Sequence, residues 1–219
     1  MKKLFFTVLI LLISFQVSNA QFHLALGPVT GLNFNIATGP DVKDATNGLG
    51  FVFGGTVDMD FSPTVGLMTN VQFYDNRSGS SSTSGTTGNG TAYTIKNSGS
   101  IAYFEIEPLF KLSLLKSMFY FFVGPSFGIN MESSYEVTVT SANDNVTFQD
   151  GSKKQTGSIK NMNARFELKI GSGLNIPISE NIWITPAVSF GYGLTKVQSD
   201  VDSRIMTIQA LCGVKFRLQ

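Results

Sequence analysis

Ten ionisable side chains recur at alternate positions within segments that are otherwise rich in apolar residues. A residue at every second position lies on one face of a β-strand, so these charges are expected to share a face. Inside a protein, opposite charges must pair, or else line a water-filled path. The candidate interior network consists of Asp58, Asp60, Glu105, Glu107, Lys111, Arg165, Glu167, Lys169, Lys215 and Arg217.

Residues suited to nucleophilic or metal chemistry are scarce in this chain. His23 is the single histidine and Cys212 the single cysteine, which is too few for a metal site of the usual type. Acyl-transfer chemistry would need a histidine beside Ser or Asp, and His23 is the single candidate. We therefore expect no enzyme activity, no metal and no cofactor, and we expect Cys212 on the apolar face.

The stretch Met162–Ile176 shows most clearly which elements position these charges. Its even positions are almost all apolar, and its odd positions carry Arg165, Glu167 and Lys169 among Asn and Gly. A period of two indicates a strand rather than a helix. The stretch is about twice as long as an ordinary strand, and its apolar flank carries no charge, which is typical of a transmembrane β-strand.

The same alternation predicts eight strands along the chain. Long connections begin at Thr38, Asp75, Glu132 and Val197, and short ones at Ser62, Ser113 and Pro177. The tract Asp75–Ser100, rich in Ser, Thr, Gly and Asn, is predicted to be a mobile loop. Long external loops that alternate with short periplasmic turns predict an all-β, eight-stranded antiparallel up-and-down transmembrane β-barrel. The predicted strands lie near 22–37, 51–61, 65–74, 101–112, 119–130, 162–176, 182–194 and 206–218.

The positions of the charged residues favour a membrane barrel over a soluble one. Past the N-terminal segment, each charged residue except Lys196 lies in a connection or on the face opposite the apolar set. A soluble lipocalin-type barrel, the alternative, would place its charges outside. Charged residues make up only 14% of the chain, well below the roughly 25% usual in soluble domains.

The N-terminal residues predict export. Residues 1–20 combine Lys2 and Lys3, the apolar run Leu4–Phe15 and a small-residue site ending at Ala20, which is typical of a signal peptide. Residues 21–219 would then form the barrel in the bacterial outer membrane. Without Lys2 and Lys3, 14 basic residues remain against 15 acidic ones, a near-neutral balance that argues against nucleic-acid binding.

In an eight-stranded barrel, strand two faces strand six and strand four faces strand eight. We therefore predict pairs of Asp58 and Asp60 with Arg165 and Lys169, and of Glu105 and Glu107 with Lys215 and Arg217. Such a network would plug the lumen, since eight strands leave an interior that side chains can fill. The alternative is a gated ion path. Bulges at Gly27–Pro28 and Gly124–Pro125 are expected to absorb prolines within strands. The prolines in question are Pro28, Pro108, Pro125 and Pro186.

Three segments carry a resemblance to a known family. Tyr103–Lys111, Phe119–Gly128 and the closing Gly213–Leu218 resemble the PorT-like outer-membrane β-barrel family. The resemblance implies an outer-membrane barrel from a family whose members are mostly unassigned, with a few linked to protein secretion. It supplies no catalytic residue to these positions. The closing strand also resembles a barrel-assembly signal, which implies the barrel-assembly machinery as a partner.

These observations lead to one functional hypothesis and two competitors. The expected protein is a monomeric, non-enzymatic scaffold in outer-membrane lipid that acts through external loops on a ligand the sequence does not specify. A secretion-associated or small-solute transport component is the alternative, and it requires an open lumen. A lipid-modifying enzyme would need a histidine at the outer rim, where the sequence places none.

Overall fold

The computed structural model describes residues 23–42, 46–115, 117–141 and 146–218. The predicted signal peptide lies outside the described residues. No helix in the described ranges is long and apolar enough to cross a membrane. The strands are β1 (His23–Thr38), β2 (Asn47–Asp60), β3 (Val65–Thr86), β4 (Ala92–Leu114), β5 (Phe119–Ser141), β6 (Lys154–Ser158), β7 (Arg165–Leu174), β8 (Ile176–Ser179), β9 (Ile182–Gly193) and β10 (Arg204–Leu218).

Eight of these strands form a closed antiparallel ring, which confirms the predicted fold. Neighbours follow the order β1, β2, β3, β4, β5, β7, β9 and β10, and β10 pairs back with β1 from Leu24↔Leu218 to Thr38↔Arg204. Closure leaves none of the eight ring strands with an unpaired edge at membrane depth, where unpaired backbone groups would be costly. The short β6 pairs only with β5 and the short β8 only with β9.

The two faces of the ring follow the predicted alternation. Large apolar side chains point outward and are exposed, while the alternate positions are buried and largely polar. Cys212 is exposed on the apolar face. The alternation predicted for residues 65–74 would turn Tyr74 inward together with Gln72, but Tyr74 stacks on the outward-facing Phe51 with ring centroids 5.1 Å apart. The cause is an irregularity between Gln72 and Asp75 that shifts the alternation by one residue.

The Ser- and Gly-rich tract is not a loop, so that prediction was wrong. β3 continues to Thr86 and pairs with β4 from Asp75↔Tyr103 to Thr86↔Ala92. β5 runs on to Ser141 and β6 adds a fourth strand; we call these projecting segments of β3 to β6 the external sheet. The rings of Tyr93 and Tyr135 lie against glycines on neighbouring strands, where a Cβ would collide with them. Cross-strand pairing and these contacts order a sequence that is too polar to be recognised as strand.

The strand prolines are accommodated without the predicted bulges. In the β4–β5 ladder, Pro108 lies opposite Pro125, and the pairs Ile106↔Phe127 and Phe110↔Val123 on either side keep the same register. Neither residue has an N–H group to donate, so placing them together confines the lost hydrogen bonds to one place. Pro28 pairs with Gly55 and Pro186 with Cys212, again without a shift. The irregularities lie elsewhere, at Phe53/Gly54, Gln72/Asp75, Ala102/Tyr103 and Pro177/Ser179.

Two predicted boundaries near β7 also change. The regular strand begins at Arg165, because Met162 forms an isolated bridge with Gln198 and packs over the external mouth of the barrel rather than facing lipid. At the other end, the predicted turn at Pro177 is partly strand, since β8 continues the same arm through Ser179. The turn that follows is therefore shorter than the sequence suggests.

Candidate functional site

The interior of the barrel is built in layers that can be read along β4. Its inward side chains run, from the periplasmic end, from a lysine through a leucine and two glutamates to a tyrosine and an isoleucine. All six are buried. An ionic layer is thus followed by an apolar layer, a second ionic layer and an apolar cap. In order, the residues are Lys111, Leu109, Glu107, Glu105, Tyr103 and Ile101.

The first ionic layer, the periplasmic ion cluster, consists of Asp58, Asp60, Lys111 and Lys215. The Nζ atom of Lys111 lies 2.6 Å from a carboxylate oxygen of Asp58 and 2.6 Å from one of Asp60. Lys215 contacts the second oxygen of Asp58 at 2.7 Å. The contact between Asp58 and Lys215 joins β2 to β10 across β1. It lies beside the β1–β10 pairing, which closes the ring.

An apolar layer lies above this cluster and fills the lumen. Met68, Leu109, Tyr120 and Phe122 form one buried group, and Val29, Val52 and Leu211 form another, with Ala187 packed against both. The void among these side chains is only about 20 Å³, room for about one water molecule. This void is too small to hold a hydrated ion.

The second ionic layer, the mid-lumen ion cluster, joins carboxylates and cations from three strands. Glu105 lies 3.3 Å from Arg77, 3.5 Å from Arg165 and 3.8 Å from Lys169. Further ion pairs join Lys169 to Glu107, Arg165 to Glu167 and Arg77 to Asp75. The members are Asp75, Arg77, Glu105, Glu107, Arg165, Glu167 and Lys169, all of them buried.

Neutral side chains complete the mid-lumen ion cluster. Glu107 accepts hydrogen bonds from Asn70 at 2.9 Å and from Gln72 at 2.8 Å. Ser126 donates to Glu105 at 3.0 Å. Carboxylates that must stay buried need such donors, because ion pairs alone leave some of their lone pairs unsatisfied.

The structure brings nine of the ten predicted residues into these two clusters, but the predicted cross-lumen pairs were wrong. Asp58 and Asp60 pair with lysines of β4 and β10, and the glutamates of β4 pair with β7. Strand tilt and stagger decide depth in a barrel, and side chains pair with whatever lies at their own depth. Arg217 joins neither cluster: it is exposed, and its guanidinium lies 5.0 Å from the ring centre of Trp183.

Asp75 and Arg77 were missed because they fall within the tract that reads as a loop. The irregularity after Gln72 turns both side chains inward, and Arg77 is 1% exposed. Their spacing of two residues is the signal that could have found them, since it continues the alternation seen in the strands.

Each end of the lumen opens into a cavity. The periplasmic cavity, of about 540 Å³, includes His23, Asp60, Trp183 and Arg217 in its lining. His23 thus lies at the periplasmic end, far from the external rim. In the described part of the chain no group of three or more His, Cys, Asp or Glu side chains could hold a metal. The external cavity, of about 340 Å³, lies over Ile101 and Ile205.

One exposed ion pair belongs to the external sheet. Lys154 of β6 lies 2.8 Å from Glu136 of β5, and both side chains are largely exposed. The hydrogen bond from Lys154 holds the pKa of Glu136 below its usual value. This pair gives a surface counterpart to the buried clusters.

A glycine on β9 makes room for the mid-lumen ion cluster, and filling that room is expected to destabilise the barrel. A Cβ at Gly191 would overlap the carboxylate of Glu167, which is held by Arg165. We expect Gly191→Ala to lower the free energy of unfolding by about 1–3 kcal/mol, measured by urea titration in lipid. Gly88→Ala is the control, because no atom lies within 4 Å of its Cβ position. Equal stability of the two variants would show that Glu167 moves aside freely.

The fold and the filled interior define a small transmembrane β-barrel. Residues 19–199 match the family model described as outer membrane protein beta-barrel domain. The chain belongs to this family, and its place is the bacterial outer membrane, in contact with lipid. The sequence matches no curated protein significantly.

Solved structures with a similar fold include three other outer-membrane proteins. The attachment invasion locus protein Ail of Yersinia pestis is 12% identical, with 88% of this chain and 99% of that chain covered and a TM-score of 0.37. Neisserial surface protein A is 11% identical, with 89% and 99% covered and a TM-score of 0.42. OprG of Pseudomonas aeruginosa is 10% identical, with 91% and 96% covered and a TM-score of 0.38.

Proposed function

We propose that this protein is a non-conducting, non-enzymatic scaffold of the outer membrane that presents its external sheet and external cavity to a ligand. The observation that carries the proposal is the filled lumen, in which an apolar layer lies between two ionic layers. Because side chains fill the lumen, we place the activity of the protein outside it. Binding residues on such scaffolds are usually carried by the segments outside the rigid core.

Partners and family membership at a finer level form part of the same proposal. We place the chain among the PorT-like barrels on the segments Tyr103–Lys111 and Phe119–Gly128, and we expect the barrel-assembly machinery to insert it as a monomer. The closed ring supports a monomer, because the eight ring strands complete one another's hydrogen bonds. A role in secretion or small-solute transport is the alternative, and it requires that the ionic layers open.

The test of the scaffold proposal is electrical. We expect the purified protein to give no steady ionic current in a planar lipid bilayer, because the void in the apolar layer is about 20 Å³. Glu105→Gln changes the centre of the lumen, while Arg217→Gln changes an exposed residue at the periplasmic rim and serves as the control. A steady current that Glu105→Gln alters more than Arg217→Gln would establish a permeation path and favour the transport alternative.

A further inference from the structure

The external cavity has the features of a binding site, and we propose that it binds the carboxylate of an acidic sugar. The inference deepens the proposed function, on which it rests, by naming the ligand class. The cavity measures about 340 Å³, at the lower end of the range typical of small-molecule sites. It opens at the external end of the lumen, above the apolar cap.

The first observation is a buried amide donor in the cavity lining that lacks an acceptor. Thr207 accepts hydrogen bonds from Arg77 and from Arg165, so its own proton is directed to Asn35 Oδ1 at 3.3 Å. That bond fixes which end of the amide faces Thr207. Asn35 Nδ2 is left without a hydrogen-bond partner in the described chain, although Asn35 is only 3% exposed.

The second observation is a buried guanidinium N–H group without an acceptor. Arg204 also lines the cavity, and its Nε atom is buried without a partner among the described residues. Arg204 forms no ion pair with another residue of the described ranges. The cavity lining includes no Asp or Glu. Buried N–H groups without acceptors are costly, and an oxyanion in the cavity is the kind of acceptor that these groups lack.

The other lining residues indicate which kind of molecule carries the oxyanion. The lining combines hydroxyl and amide side chains with one aromatic residue and with apolar residues such as Ile101 and Ile205. Hydroxyl and amide groups can both donate and accept hydrogen bonds, as sugar hydroxyls require, and an aromatic ring can cover a sugar face. A bare inorganic anion would leave these groups and most of the volume unused. These lining residues are Ser78, Ser81, Asn97, Ser98, Tyr135 and Ser203.

The experiment compares glucuronate with glucose by titration calorimetry on the folded protein in detergent. We expect glucuronate to bind and glucose to bind at least about tenfold more weakly, because only glucuronate offers a carboxylate to the unpaired donors. Arg204→Gln and Asn35→Leu should each weaken glucuronate binding by about tenfold. Arg217→Gln removes a guanidinium at the opposite end of the barrel and should leave binding unchanged.

Each other outcome overturns the inference. Equal binding of glucose and glucuronate would remove the role of the oxyanion, and binding of inorganic phosphate as tight as that of glucuronate would remove the role of the sugar. Loss in Arg217→Gln equal to that in Arg204→Gln would place the site elsewhere. Asn35 lies next to the mid-lumen ion cluster, so the folding of Asn35→Leu has to be checked. A shift in gel mobility between unheated and heated samples shows that the variant still forms a closed barrel. Absence of sugar binding by a non-conducting protein ends this inference alone, whereas a steady current ends the scaffold proposal.

Discussion

Arg77→Ala is expected to lower the free energy of unfolding by about 3–5 kcal/mol, because it breaks buried ion pairs. Arg77 is 1% exposed and contacts Asp75, Glu105 at 3.3 Å and Glu167 at 3.7 Å. Its removal leaves three carboxylates in a water-poor interior with fewer cations to balance them. Urea titration of the protein in lipid, followed by tryptophan fluorescence, measures the change.

Lys154→Ala provides the control, because it also removes one cation, but from a single exposed ion pair with Glu136. The side chains of Lys154 and Glu136 are 57% and 43% exposed, so water already screens their attraction. The loss should therefore be far smaller than that in Arg77→Ala. Similar losses in the two variants would mean that the mid-lumen ion cluster is hydrated and contributes no more than a surface pair.

Shortening the external hairpin gives a second test of Arg77. Replacing residues 77–98 with a short turn would be harmless if this tract were a loop, but it deletes Arg77. Replacing residues 81–97 keeps Arg77 and removes only projecting strand. The first variant should be less stable than the second by about 3 kcal/mol or more, in line with the substitution. Two equally stable variants would contradict the role assigned to Arg77.

Leu168→Arg should destabilise the barrel by about 2–4 kcal/mol, because it places a charge in the lipid near mid-membrane. Leu168 is 50% exposed on the outward face, where it pairs with Pro125 of β5 and Tyr192 of β9. Leu114→Arg introduces the same charge on the same face at the end of β4 beside a periplasmic turn. There the cost should be about 0–1 kcal/mol.

The difference in unfolding free energy between these two variants depends on how deep in the bilayer each charge lies. The free energy of unfolding of each, measured in bilayers of one lipid, gives the comparison directly. If Leu168→Arg were tolerated as well as Leu114→Arg, the outward face would be in contact with water. The assignment of the two faces would then have to be reversed.

Much of this fold can be predicted from the sequence, because the period of two survives wherever one face meets lipid and the other meets charges. The ten-residue candidate set follows from that period, and β7 displays it with no interruption from Arg165 to Ile170. Alternation is a local property of the chain. It places a side chain inside or outside without reference to any other strand.

What could not be predicted depends on geometry between strands. One irregularity after Gln72 reverses the faces and brings in Asp75 and Arg77. The external sheet is ordered by its neighbours and not by its own composition, so a Ser- and Gly-rich tract gives no local sign of it. The ion pairs follow depth, which depends on the stagger of the whole ring. Arg217 carries the same charge as Lys215 but lies just beyond the rim.

The ion clusters join residues that are far apart along the chain, and this has a consequence for how the barrel forms. Asp58 and Lys215 are 157 positions apart, and Gln209 and Asn33, beside the mid-lumen ion cluster, are 176 apart. Contacts of such separation form slowly, because the chain must first bring its ends together. Lys215 of β10 therefore meets Asp58 of β2 only when the last strand closes the ring. A strand paired one residue out of register would turn these charges to the lipid face, so such an error would be energetically costly.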